Sequence, residues 1–177
     1  AETQVQAGRL LPKDKDMAVA TLDALADAQP VEFAEGDTTR KVSPAQWLQD
    51  LIAGTPGAEG KWFAAAKEAG MFELAAELAH TSPTDPRTLT RAARDFATEQ
   101  PQFALNAALS ALRWIARGHG YEITGADVLD AYSAVTQAVP NAGVPAQLVN
   151  EQIRDMIAST QPGNSLIKTI LARHLSN

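Results

Sequence analysis

Apolar residues recur along this chain at the three- and four-residue spacing of amphipathic helices. The pattern begins in DKDMAVATLDALADAQP, residues 14–30, and returns in AQWLQDLIAG, KWFAAAKEAG and MFELAAELAH. Glycine and proline interrupt it at short intervals, so most of the predicted helices have roughly two to four turns. We predict about nine helices, with connections short enough to make consecutive helices antiparallel neighbours.

Capping residues mark where these helices begin and end. Ser43 and Asp85 each precede a proline that suits the first helical position. The second cap predicts a helix over 86–100, and Pro101 opens a long helix immediately afterwards. A later helix, GADVLDAYSAVTQAV, is predicted to end at the segment PNAG. Residues 31–42 form the one stretch with alternating positions and a turn signal, which predicts either a small hairpin or an irregular element.

The segment RWIARGHGYEITGADVLDAY places a histidine between two glycines, as a phosphate-binding loop or a turn between helices would. It lacks the preceding strand and the glycine spacing of phosphate-binding loops. We therefore interpret it as a turn, in which Gly118 ends one helix in the left-handed conformation and Thr124 caps the next. Tyr121 and Ile123 are expected to anchor the turn from beneath, with His119 exposed or capping the helix end.

An internal similarity indicates repeated helix pairs. FELAAEL at 72–78 matches FALNAAL at 103–109 with an offset of 31 residues, and Ala66 and Ala97 keep the same offset. A period of this length is typical of stacked helix–turn–helix units.

These patterns predict an all-α fold, a right-handed and short α-solenoid-like stack of antiparallel helix pairs. We expect a single helical domain over 1–177, with an N-terminal helical extension at 1–58 and a helix-hairpin stack at 59–177.

Composition narrows the classes of function. The net charge is −6, so binding of nucleic acid or an anionic membrane would need a locally basic face. Cysteine is absent, which excludes disulfides, thiolate nucleophiles and cysteine-ligated zinc. No apolar run approaches the roughly 20 residues of a membrane span. We expect a soluble protein, with the cytoplasm favoured over the periplasm.

No catalytic or metal-binding motif stands out. His80, His119 and His174 are far apart and form no metal-ligand spacing, so we predict no metal and no cofactor. Asp127 and Asp130 lie one helical turn apart, which is usual for a solvated helix face. Serine forms no G-x-S-x-G elbow, and the segments NSL and TSP are capping and turn sequences. The sequence therefore favours a non-enzymatic protein.

Arginine is the residue type that points to a partner. Within residues 61–120, five arginines recur at helical spacing on two successive helices, where they would share one groove if the helices are neighbours: Arg87, Arg91, Arg94, Arg113 and Arg117. Guanidinium groups suit carboxylates and phosphates, so we predict a module that binds an acidic segment of a protein partner. The alternative for these arginines is an ordinary solvated face with local pairing to Asp95 and Glu99.

Two other functions remain open. In one, the same arginines contact phosphates, as in an accessory domain of a nucleic-acid-associated protein. In the other, Trp114, His119 and Tyr121 line a small-molecule or enzymatic pocket between helices. Trp47, Trp62 and Trp114 all lie in apolar stripes and are predicted to be core residues.

The segments FELAAELAHTSPTDPRTLTRAARDF and FALNAALSALRWIARGHGYEITGADVLDAY resemble tetratricopeptide-like α-hairpin repeats. That resemblance implies stacked helix hairpins, although the usual Trp-Leu-Gly-Tyr order of the first helix is not reproduced. Residues 60–175 also resemble a helical segment of uncharacterised bacterial proteins associated with SWIM-type zinc-binding segments. The Cys and His ligands of such a segment do not occur in this sequence, so neither resemblance assigns a catalytic residue.

Overall fold

The computed structural model describes residues 31–35, 38–160 and 165–175. Apart from one short hairpin, the described elements are helices packed against one another, which confirms the predicted all-α fold. The helix predicted at 14–30 lies outside the described residues. None of the described helices combines the length and the apolar character needed to cross a membrane.

A two-stranded antiparallel hairpin precedes the helices. Strand β1 covers Val31–Glu35 and strand β2 covers Thr38–Val42. The register pairs Val31 with Val42 at the open end. The small element predicted near 31–42 therefore takes the hairpin form.

The chain divides into two compact units, the first ending at Ala75 and the second beginning at Ala76. Among its described residues, the first unit contains a 3₁₀ turn at Glu59–Trp62 and two complete α-helices, α1 at Pro44–Ala53 and α2 at Phe63–Glu68. Ser43 caps α1, as predicted, by accepting a hydrogen bond from the backbone nitrogen of Gln46 at 3.2 Å. The Trp62 indole donates to Thr55 Oγ1 at 2.9 Å, so this buried ring also satisfies its polar atom.

The second unit is built from the end of one helix and five complete helices: α3 at Phe72–Thr81, α4 at Pro86–Asp95, α5 at Pro101–Ala116, α6 at Gly125–Ala142, α7 at Ala146–Ala158 and α8 at Ser165–Ala172. Helices α4, α5 and α6 pack against one another. Helix α7 packs on α5 and α6, and α8 packs on α6.

Helix α5 is the centre of this unit. Of its 16 residues, 12 are buried, and its sequence PQFALNAALSALRWIA is apolar on nearly every face. A helix that is apolar all round belongs in the core rather than at the surface. Its many alanines let neighbouring helices approach closely, because a methyl side chain takes little space between backbones.

Two predicted helix ends are wrong. Helix α4 stops at Asp95 instead of continuing to residue 100. The chain turns there, and the Phe96 ring meets the Phe103 ring edge-on at 5.7 Å between centroids. Gln100 has a non-helical backbone, with φ −134° and ψ 64°, because the Pro101 ring disfavours a helical conformation in the residue before it.

Helix α6 continues through Pro140, where the sequence predicts an end, and stops at Ala142. Two hydrogen bonds hold this last turn: Gln102 Nε2 donates to the Ala142 carbonyl at 2.6 Å, and Asn141 Nδ2 donates to the Ala97 carbonyl at 3.0 Å. Gly143 then ends the helix with a φ of 66°. Tertiary contacts thus offset the backbone hydrogen bond that proline removes.

Candidate functional site: an arginine cleft at the end of α5

The glycine–histidine–glycine segment is a helix-terminating turn, as predicted. Gly118 has a φ of 81°, and its nitrogen donates to the Ile115 carbonyl at 2.9 Å. The His119 nitrogen donates to the Trp114 carbonyl at 2.8 Å. This pair of hydrogen bonds is the usual ending of a helix that is followed by a residue in the left-handed conformation, here Gly118. The expectation that Tyr121 anchors the turn is wrong, because its side chain is 77% exposed.

A cleft of about 480 Å³ lies between α5 and α7, next to the point where α5 enters this turn. We call it the arginine cleft, and its polar lining consists of Arg113, Arg117, His119, Gln152, Ser159 and Thr160. Among the residues that the structure describes, no acidic side chain lines it. The cleft is therefore a concentration of positive charge with hydrogen-bonding groups around it.

Neutral groups hold the two arginines in place. Arg113 Nη1 donates to His80 Nδ1 at 2.6 Å and to the His80 carbonyl at 3.2 Å. The Arg117 guanidinium lies 5.2 Å from the centre of the Trp114 ring, within the range of a cation–π contact. Neither arginine forms a salt bridge with a carboxylate among the described residues.

Burial and neighbouring positive charges lower the pKa values of two side chains in this cluster. Partial burial and then the charge of Arg117 lower the pKa of Arg113 below its usual value. Burial and the charges of both arginines lower the pKa of His80 in the same way. An arginine remains protonated despite such a shift, so the cleft keeps both charges.

The other three predicted arginines lie elsewhere. Arg87, Arg91 and Arg94 line a second cleft of about 240 Å³ between α4 and α6, together with Asp127 and Asp130. The two clefts share no lining residue. Neighbouring helices thus do not bring the five arginines into the single groove that their spacing allowed.

Within the second cleft, Arg87 and Asp127 form an ion pair that we call the Arg87–Asp127 clamp. Arg87 Nε and Nη2 donate to the two carboxylate oxygens of Asp127 at 2.6 and 3.0 Å, and Nη2 also donates to the Glu122 carbonyl at 2.9 Å. Asp127 accepts from the nitrogen of Thr124 as well, completing a capping box at the start of α6.

The hydrogen bond from Arg87 and those from Thr124 hold the pKa of Asp127 well below its ordinary range. The prediction that Asp127 belongs to a plain solvated face is therefore wrong. Arg94 and Asp95, by contrast, form the exposed local ion pair that the alternative interpretation predicts, at 3.5 Å.

The residues predicted to line a small-molecule pocket are not gathered around one space. Trp114 is buried, and its indole nitrogen donates to the Ala79 carbonyl at 2.7 Å. His119 lines the arginine cleft and meets the Trp114 ring edge-on at 5.2 Å. His80 lies near the end of α3, and no group of three or more metal-binding side chains occurs among the described residues.

Sequence reasoning missed the α7 side of the cleft. The sequence does contain a signal for this side, since four of the lining residues recur at the spacing of one helix face: Gln152, Met156, Ser159 and Thr160. It carries little information by itself, because the same spacing occurs on any helix. The role of His80 was also missed, since its partner lies 33 residues away.

Comparison with known proteins adds no assignment: no protein-family model, no curated protein and no solved structure matches this chain. The resemblances to tetratricopeptide-like repeats and to SWIM-associated helical segments stay predictions.

Proposed function

We propose that this chain is a non-enzymatic helical module that binds an acidic segment of a partner protein, with carboxylates seated in the arginine cleft. The observation that carries the proposal is the pair of guanidinium groups, Arg113 and Arg117, in a cleft that no acidic side chain of the described part of the chain lines. Guanidinium groups match carboxylates in shape and bind them through charged, paired hydrogen bonds. A partner carboxylate would supply the missing counter-charge.

The charge distribution favours an acidic peptide over nucleic acid. A nucleic-acid backbone is bound through many phosphate contacts along an extended basic surface. Here Arg91 and Arg94 share their cleft with Asp127 and Asp130, whose carboxylates repel phosphates. The chain as a whole carries a net charge of −6. A short site for one or two carboxylates fits these limits better than a track for phosphates.

A small-molecule pocket around Trp114, His119 and Tyr121 receives less support. The Trp114 indole nitrogen already has a backbone partner, and Tyr121 does not line the cleft.

The test is the binding of a fluorescein-labelled peptide of alternating Glu and Ser, followed by fluorescence anisotropy at low and at physiological salt. We expect wild-type protein to bind it, the affinity to fall as salt rises, and the corresponding Gln–Ser peptide not to bind. Charge reversal by Arg117→Glu should weaken binding by about tenfold or more, because it removes one guanidinium and repels the carboxylate that remains.

Arg91→Glu is the matched control, since it changes the net charge equally and lies in the other cleft. Equal losses in the two variants would mean that only net charge matters, and the assignment to the arginine cleft would be wrong. Binding of duplex DNA without binding of the acidic peptide would favour the nucleic-acid alternative instead.

A further inference from the structure

His80 is neutral when it contacts Arg113. The ring nitrogen Nδ1 of His80 lies 2.6 Å from Arg113 Nη1. An arginine only donates hydrogen bonds, so Nδ1 must accept and therefore carries no proton. The proton of the neutral ring then belongs on Nε2, and a second proton on Nδ1 would replace this hydrogen bond with a contact between two cations.

Positive groups dominate the surroundings of His80. Arg113 and Arg117 face it from α5, and both charges disfavour its protonation. His119 follows α5 and lines the same cleft as the arginines. The two acidic groups on its own helix, Glu73 and Glu77, are both exposed, and Glu77 lies one turn before it. The ring is thus an uncharged member of a cationic cluster.

We infer that an anion bound in the arginine cleft causes His80 to take up a proton and become a third cation of the site. The inference rests on the proposed function. A bound carboxylate offsets the charges of Arg113 and Arg117, and it accepts the Arg113 hydrogen bonds that the imidazole nitrogen accepts in the free protein. Arg113 keeps its second bond, to the His80 carbonyl, at 3.2 Å.

Linkage makes this coupling reciprocal. If the anion favours protonation of His80, protonation of His80 must favour the anion by the same factor. Affinity should therefore rise as pH falls through the pKa of His80 in the bound state. It should level off below the pKa of the free protein, which burial and the two arginines hold below 6.5. One proton limits the slope to about tenfold in affinity per pH unit.

The test combines histidine NMR with binding of the Glu–Ser peptide between about pH 5.5 and 8, where glutamate side chains stay largely ionised. We expect the His80 Cε1–H resonance to titrate at a higher pKa when the peptide saturates the protein than when the protein is free. The affinity should rise toward acid pH. In His80→Gln, whose amide oxygen still accepts from Arg113 but does not titrate, binding should persist and lose most of its pH dependence.

His119→Gln is the control, because His119 lines the cleft and is itself titratable. The inference is overturned if wild-type affinity stays constant over this range, if the His80 pKa does not move, or if His119→Gln removes the pH dependence and His80→Gln leaves it. In each case Arg117-dependent binding would still support the proposed function. Absence of peptide binding at every pH would overturn both.

Discussion

The two arginine clefts of the second unit use the same residue type in opposite ways. At the start of α6, Arg87 is bound to the carboxylate of Asp127 and to a backbone carbonyl, so its charge is compensated within the protein. At the end of α5, Arg113 and Arg117 contact an imidazole, a carbonyl and an aromatic ring, and no carboxylate among the described residues compensates their charges. The first arrangement stabilises the fold, and under the proposed function the second binds an anion.

The helix ends account for this difference. The amino terminus of a helix favours a negative charge, so Asp127 in the first turn of α6 is well placed and attracts an arginine from α4. The carboxyl terminus favours positive charge, which Arg113 in the last turn of α5 supplies. Two neighbouring cations at one helix end, Arg113 half-buried and Arg117 exposed, exceed what the helix dipole requires. That excess of positive charge is the basis of the proposed binding site.

The largest expected effect on stability comes from Trp114, whose ring contacts Arg117 of the arginine cleft. Trp114→Phe should lower the free energy of unfolding by about 2–3 kcal/mol, because the Ala79 carbonyl loses its buried donor and the smaller ring leaves space. Chemical denaturation followed by far-ultraviolet circular dichroism measures this change. It should also weaken peptide binding, since a phenyl ring gives Arg117 a weaker cation–π contact than the indole does.

Trp62→Phe provides the comparison for that variant. Trp62 is also buried, but its indole donates to a hydroxyl, Thr55 Oγ1, which is itself hydrogen-bonded to backbone carbonyls. We expect no loss of peptide affinity in this variant. A loss as large as that of Trp114→Phe would contradict a specific role for Trp114 under the cleft.

A smaller effect is expected at the Arg87–Asp127 clamp. Asp127→Ala should cost about 1 kcal/mol of stability, because it removes the acidic half of the capping box together with the partner of Arg87. Asp130→Ala, one helical turn away and exposed, should change stability by less than about 0.5 kcal/mol. Thermal unfolding of the two variants compares them directly. Neither should change the affinity for the Glu–Ser peptide, and a loss in Asp127→Ala would connect the clamp to binding.

Local sequence signals predicted the helices well. Proline and capping residues identified the starts of α1, α4, α5 and α6, because these signals act on neighbouring residues within one turn. The two wrong helix ends depend on contacts across the fold, namely the Phe96–Phe103 ring pair and the hydrogen bonds of Gln102 and Asn141. Such contacts leave no trace in local spacing.

The candidate site was predicted only in part, for the same reason. Helical spacing singled out five arginines, but it did not distinguish the one that meets Asp127 from the two that meet no carboxylate. That distinction depends on partners 33 to 40 residues away in sequence. The sequence shows that an arginine can bind a carboxylate. Whether its charge is already paired within the protein depends on the fold.

The smallest effect on stability is expected in a variant that loses much of its affinity for the Glu–Ser peptide. Arg117 lies just past α5, is exposed, and contacts the face of Trp114 without forming a salt bridge to the described carboxylates. Arg117→Gln should therefore change the free energy of unfolding by less than about 0.5 kcal/mol, as most exposed substitutions do. It should still weaken binding of the Glu–Ser peptide, because the amide that replaces the guanidinium carries no charge. Arg91→Gln should leave both quantities unchanged. If Arg117→Gln unfolds the protein instead, the contact with Trp114 is structural, and the two arginine clefts differ less in kind than their charges indicate.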